Sequence, residues 1–227
     1  MLRLLSTNAL YHLSKVFGLR GGGYPIKRMS LSGLSAVENA LIALKQRGKY
    51  ALISAVGDMT IAENICVFAK MGLVKTDKIH NGITPSCGAA SLVIEKDTLC
   101  QNSIAEIREV KSIYKNTSFI AKNDWLELFS MLTVKKDLNN LHIALYNNGV
   151  KEMADEELQA VNHVFPNAHY YSYKPYIGYT GKANNLIDLI IAITDNRIPV
   201  DSHILINGVG TMSGMGYILI KKLKGRP

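Results

Sequence analysis

The residues with the most chemistry to offer lie between 174 and 196, reading KPYIGYTGKANNLIDLIIAITDN. Gly178 and Gly181 flank Tyr179 and Thr180, and two glycines at that spacing specify a sharp turn. The turn feeds a long apolar helix that ends at Asn196, shortly before Pro199. Ser30 stands just ahead of a second helical pattern, where a serine suits the N-cap.

Other reactive residue types are spread thinly. Cys66, Cys87 and Cys100 are an odd number with no tight pair, which argues against a disulfide framework or a zinc site. Six histidines lack metal-ligand spacing, and His12 reads as a helix-face residue. Gly21 to Gly23 precede no long helix directly and lack a Lys-Ser/Thr pair, so a phosphate loop is a poor match. Met29, Met59, Met71 and Met131 are dispersed as core fillers, and Trp125 reads as a core anchor.

The elements that must hold these residues alternate between strand and helix patterns. Helices are expected over 7–17, 32–47, 60–71, from Asn123 or Asp124 to about 136, and over 151–164. In the second of these, Leu34, Val37, Leu41 and Leu44 share a face and Gly48 closes the end. Strands are expected over 24–29, 51–56, 88–95, 103–114, 141–146, in YYSY, and in the closing HILING and MGYILIKK. The run ALISAV, short and uncharged, reads as a strand buried on both faces. The final helix should bury Ala183, Leu186, Ile187, Ile190 and Ile193. This order predicts one α/β domain over 1–227 with helices on both sides of a sheet.

Composition narrows the classes. The 227 residues are 48% hydrophobic, enough for a core, and no apolar run approaches the roughly 20 residues that cross a bilayer. The N-terminal apolar patch is broken by Arg3, Ser6 and Asn8, against a signal peptide, so a cytoplasmic protein away from membranes is expected. The net charge of +8 is diffuse apart from KKLKGR at 221–226. That pattern fits steering of an acidic protein partner better than nucleic-acid binding, which favours clustered basic and aromatic residues.

Taken in order, four stretches resemble the later part of a β-ketoacyl synthase of the thiolase fold. They are 5–59, 81–96 (NGITPSCGAASLVIEK), 174–189 (KPYIGYTGKANNLIDL) and 204–222 (ILINGVGTMSGMGYILIKK). The resemblance implies a layered α-β-α fold truncated in its N-terminal half, with GGGYPIKRM (21–29), which holds the strand at 24–29, at a dimer interface. It also aligns the family's catalytic positions with other residues. Met29, Ser30, Leu31, Ser32 and Gly33 match an Ala-Cys-x-Ser-Gly turn, so Ser30 takes the place of the nucleophilic cysteine. Asn148 and Tyr179 fall in the two histidine slots, while Lys174 matches the family lysine. Cys87 replaces an acidic residue, and Gly210, Thr211, Met212 and Ser213 match a Gly-Phe-Gly-Gly gate without its aromatic.

A phenol and an amide can donate hydrogen bonds to an acyl oxygen, but they cannot act as the histidines do in decarboxylation. The resemblance is therefore strongest to the chain-length factor, the non-catalytic subunit of a type II polyketide ketosynthase. Such a subunit implies an active ketosynthase as heterodimer partner, an acyl carrier protein bearing the chain, and no cofactor or metal. Thr211 and Met212 become candidates for lining the chain's tunnel, for an aromatic polyketide or an aryl polyene. Two alternatives stay open: an acyl-transferring enzyme using Ser30, which needs a base among His12, His163 and His169, and a scaffold with no chain-length role.

Overall fold

The computed structural model describes residues 7–46, 48–96, 102–117, 119–133, 138 and 140–224. The ends expected for helices at 47 and 136, and Cys100, lie outside the described residues.

The elements run in four layers. An antiparallel pair, β1 (Tyr50–Asp58) and β2 (Cys87–Glu95), forms the first. Helices α2 (Ser32–Gln46) and α7 (Asn184–Thr194) pack beneath it. Next comes a five-stranded mixed sheet of β3 (Ala105–Ile113), β7 (Gly214–Lys222), β6 (His203–Gly210), β4 (Leu141–Ala144) and β5 (His169–Tyr171), in that spatial order. Helices α4 (Lys122–Ser130) and α5 (Lys151–Val164) cover its far face. Within the sheet β4 runs parallel to β5 and β6, and β7 runs antiparallel to both β6 and β3. The expected layered α/β fold is the observed one.

Side-chain alternation produces two cores. Ile204, Ile206, Ile218 and Ile220 point toward α2 and α7, where Leu34, Val37, Leu186 and Leu189 meet them. Leu205, Val209, Leu219 and Tyr217 point the other way, toward Trp125, Leu128 and Phe129 of α4. Trp125 is thus a core anchor, 1% exposed. Gly48 donates its N–H to Ala43 O at 3.0 Å and closes α2.

Several expectations need correction. Residues 24–29 form no strand; Tyr24 is exposed and Pro25 has no N–H to offer a ladder. Ser30 is not the N-cap of α2, which begins at Ser32. The N-cap of α4 is Ala121, while Asp124 lies in its first turn and accepts the Ala121 N–H at 3.0 Å. A short helix, α6 (Lys174–Ile177), precedes the Gly178 turn, and α7 ends at Thr194. The buried face of α7 is Asn184, Asn185, Leu186, Asp188, Leu189 and Ala192, so Ile187, Ile190 and Ile193 are only half-buried. β1 is not buried on both faces, since Val56 is 70% exposed.

The remaining helices are peripheral. α1 (Thr7–Phe17) leaves Tyr11, Val16 and Phe17 exposed. α3 (Ala62–Lys70) has no fully buried residue and is closed by Gly72 at positive φ. No helix among the described residues is long and apolar enough to cross a membrane.

Candidate functional site

Ser30 is delivered by a tight turn ahead of α2. Met29 takes a positive φ of 47°, the Leu31 N–H reaches Arg28 O at 2.9 Å, and Ser32 Oγ accepts the Arg28 N–H at 2.9 Å. The Arg28 side chain then ties the turn to two strand ends. It donates to Ser112 Oγ at 2.8 Å at the end of β3 and to Ser213 O at 3.1 Å between β6 and β7. A left-handed non-glycine residue at such a turn costs free energy, and this guanidinium network over-determines it.

Tyr179 arrives from the other side. Gly178 and Gly181 hold φ of 74° and 63°, which a side chain would resist, so the turn is as sharp as its two glycines require. The Tyr179 N–H donates to Thr84 O at 2.8 Å, and Tyr179 O accepts from the Ser86 N–H at 3.0 Å. Asn184 Oδ1 caps the turn by accepting from the Thr180 N–H and hydroxyl at 2.9 and 2.8 Å. β1 presses directly on it: a Cβ on Gly57 would stand 1.7 Å from Thr180 O.

The two side chains meet inside the protein. The Tyr179 hydroxyl donates to Ser30 Oγ at 3.1 Å, and Ser30 Oγ donates to Val209 O at 2.6 Å. Tyr146, at the end of β4, completes the cluster by interacting with Ser30, Tyr179 and Asn148. Burial pushes the Tyr179 phenol up and the Tyr146 phenol well up, so both stay protonated. Ser30 is 2% exposed, and its partners among the described residues include no histidine. His12 and His163 are exposed on helices, and His169 stacks on His142 at the β4–β5 edge.

Asn148 and Lys174 lie beside this cluster. Asn148 Oδ1 accepts the Val150 N–H at 3.1 Å, which fixes the loop after β4. Glu157 secures the same loop from α5, accepting the Tyr146 and Asn147 N–H groups at 2.7 and 3.0 Å and Asn207 Nδ2 at 2.8 Å. Lys174 Nζ is buried against Asp188 of α7 at 2.5 Å and sits 5.3 Å from the Tyr146 ring centroid. Burial raises the Asp188 carboxyl, and the Lys174 charge opposes that rise. A cavity of about 130 Å³ opens beside Tyr179, lined in part by Lys75, His80, Thr84, Asn148 and Lys174.

Ser30, Asn148, Lys174 and Tyr179 are thus brought together by three separate segments, Lys174 and Tyr179 sharing one. Thr211 and Met212 are not among the residues around that cavity. They make the β6–β7 turn, where Met212 is exposed and its N–H donates to Thr117 O at 3.0 Å. Cys87 is exposed at the start of β2, and Cys66 is likewise a free exposed thiol.

No family model matches the sequence, and no curated protein matches it. The arrangement of elements does match solved structures. The ketosynthase from module 6 of the bacillaene synthase of Bacillus subtilis 168 superposes with a TM-score of 0.83 at 15% identity, over 98% of this chain and 50% of the other. The oxazolomycin ketosynthase domain of Streptomyces albus JA3453 gives 0.84 at 12% identity, over 98% and 50%. The fold is that of the ketosynthases. A PfaC keto synthase–chain length factor gives 0.72 at 20% identity, over 87% of this chain and 22% of that one. The chain spans about half the length of the first two ketosynthase structures.

Sequence reading missed Tyr146, Asp188, Glu157 and Arg28. The signal for Asp188 was present, as a lone carboxylate within the apolar helix run LIDLII. Nothing local marks Glu157 or Arg28, whose most distant partners lie 50 and 185 residues away.

Proposed function

We propose that this chain is a non-condensing ketosynthase-fold subunit that pairs with an active ketosynthase and acts as its chain-length factor. The observation that carries the reading is the closed set of hydroxyls formed by Ser30, Tyr146 and Tyr179. A serine becomes an acyl nucleophile when a neighbouring base takes its proton. Here the Ser30 proton is committed to a backbone carbonyl, and both neighbouring phenols are held protonated by burial. Ser30 and Tyr179 occupy the positions that the sequence resemblance assigns to the nucleophile and the second histidine.

The pairing follows from chemistry that this chain does not supply. Decarboxylative condensation would take place at the partner's cysteine and histidines, on a chain carried by an acyl carrier protein. The +8 charge favours encounter with an acidic carrier. The likeness to a protein described as a keto synthase–chain length factor supports the reading at the level of fold.

Co-expression with an active ketosynthase tests it. A heterodimer should co-purify, the chain alone should condense nothing, and its omission should change the length distribution of the products. Condensing activity from the chain alone would sink the proposal. The filled interior at Ser30 favours one second reading, a scaffold that holds the ketosynthase without gauging the chain. Tyr179→Ala separates the two: a chain-length factor would shift product length, whereas a scaffold would leave it unchanged.

A further inference from the structure

The cavity of about 130 Å³ beside Tyr179 is rich in hydrogen-bond donors and poor in groups to receive them. Lys75, His80, Thr84, Asn148 and Lys174 bring donors to it, and no carboxylate lies among its lining residues. Lys174 already pairs with Asp188 at 2.5 Å. Lys75 is exposed and makes no ion pair among the described residues, so its charge is left over. Asn148 is only 7% exposed, and its Oδ1 is taken by the Val150 N–H. Its Nδ2 meets the Met153 sulfur at 4.0 Å and the Tyr146 side chain. Neither of these carries charge, so an anion would be the first charged acceptor that this buried amide meets.

The cavity wall is fixed before any ligand arrives. The Gly82 N–H donates to Gly149 O at 2.9 Å, and the Ile83 N–H donates to Leu73 O at 2.6 Å. Asn81 clamps the same loop to α5, accepting the Lys151 N–H at 2.6 Å and donating to Glu152 at 3.1 Å. Gly149 holds a φ of 99°, and a Cβ there would stand 2.3 Å from Gly82 O. Only glycine lets those two walls meet. A buried water requires roughly 10–15 Å³, so the cavity admits an ion of several heavy atoms.

We infer that this cavity binds a small free oxyanion, a carboxylate or a phosphate, with Lys75 supplying charge and Asn148 and Thr84 supplying hydrogen bonds. Bound there, the anion ties the loop at 75–84 to the segment from Lys174 to Tyr179, and so stabilises the folded chain. It is held and not transformed, because Ser30 is not among the residues around the cavity. The inference goes beyond the chain-length reading and does not depend on it.

The probes are inorganic phosphate and acetate, each titrated into the full chain alone, with sodium chloride at matched ionic strength as the reference. At least one should bind with a dissociation constant of about 1 mM or tighter and raise the midpoint of thermal unfolding. It should also shift the NMR signals of the Asn148 side-chain amide and of the Gly82 and Gly149 backbone amides. The tighter of the two assigns the site to phosphate or to carboxylate. Lys75→Gln changes an exposed side chain, so it should weaken binding at least about ten-fold and leave the melting of the ligand-free chain unchanged. Lys45→Gln makes the same charge change on α2 and should leave binding as it was. No saturable binding of either anion would overturn the inference. Equal weakening by Lys45→Gln, or signals that shift only at other basic residues, would overturn it too. Condensing activity in the chain would sink the chain-length reading and leave this site standing.

Discussion

Tyr179 donates a hydrogen bond of 3.1 Å to Ser30 across 149 residues of sequence, and Ser30 in turn donates a hydrogen bond to the carbonyl of Val209. A reactive serine needs the reverse polarity, with its proton directed at a base. Ser30→Ala should therefore leave turnover of the assembled ketosynthase pair within about two-fold of wild type. It should also lower stability by about 1 kcal/mol, because the buried Tyr179 hydroxyl loses its acceptor. Steady-state kinetics and urea denaturation check the two outcomes. Ser30→Cys should leave the chain unable to condense, since its partners among the described residues include no histidine.

Lys174 and Asp188 make the second test. Both are buried, the first 4% and the second 1% exposed, and Asp188 Oδ1 has no hydrogen-bond partner among the described residues. Lys174→Met leaves the carboxylate uncompensated and should cost about 3–5 kcal/mol in denaturant unfolding. Lys174→Met combined with Asp188→Leu should recover most of that loss, since replacing a whole buried pair with apolar groups is often neutral. A double variant no more stable than the single one would show that the pair stabilises the fold in its own right.

Gly57 sets how closely β1 approaches the Tyr179 turn. Its absent side chain lets Thr180 O come to where a Cβ would stand, and the obstacle is backbone. Gly57→Ala should destabilise the fold by about 2–3 kcal/mol through overpacking. It should also displace Tyr179 from Ser30, which the environment-sensitive absorbance of the buried phenol would report.

The sequence made the layered fold legible because its strongest signals are local. α5 matches the expected 151–164 span, and β6 and β7 follow the apolar runs that bracket Gly210 and Gly214. Ser30, Asn148, Lys174 and Tyr179 were legible as a set only through resemblance, yet they converge. What stayed hidden depends on distant partners. Arg28 is one of many basic residues in sequence, and only folding carries it to Ser112 and Ser213. The expected strand at 24–29 failed because no other segment among the described residues forms a ladder with it. The burial expected for ALISAV failed on one face, where Val56 is exposed.

His142 gives the last prediction. Its ring is buried on β4, with Nδ1 3.0 Å from the Tyr171 hydroxyl, and Nε2 has no hydrogen-bond partner among the described residues. It stacks on His169 at 5.1 Å, and Lys222 lies close enough to repel a proton there. Burial is the main cause of its lowered pKa, followed by His169 and Lys222, with Asp195 opposing. The unfolded chain therefore takes up this proton first as pH falls through about 6.5. Stability is fully present above that value and falls below it, until the folded state's own lower pKa is passed. Urea midpoints should drop between about pH 8 and about pH 5.5, and His142→Gln should flatten that slope. An equally steep slope in His142→Gln would assign the acid sensitivity to another group.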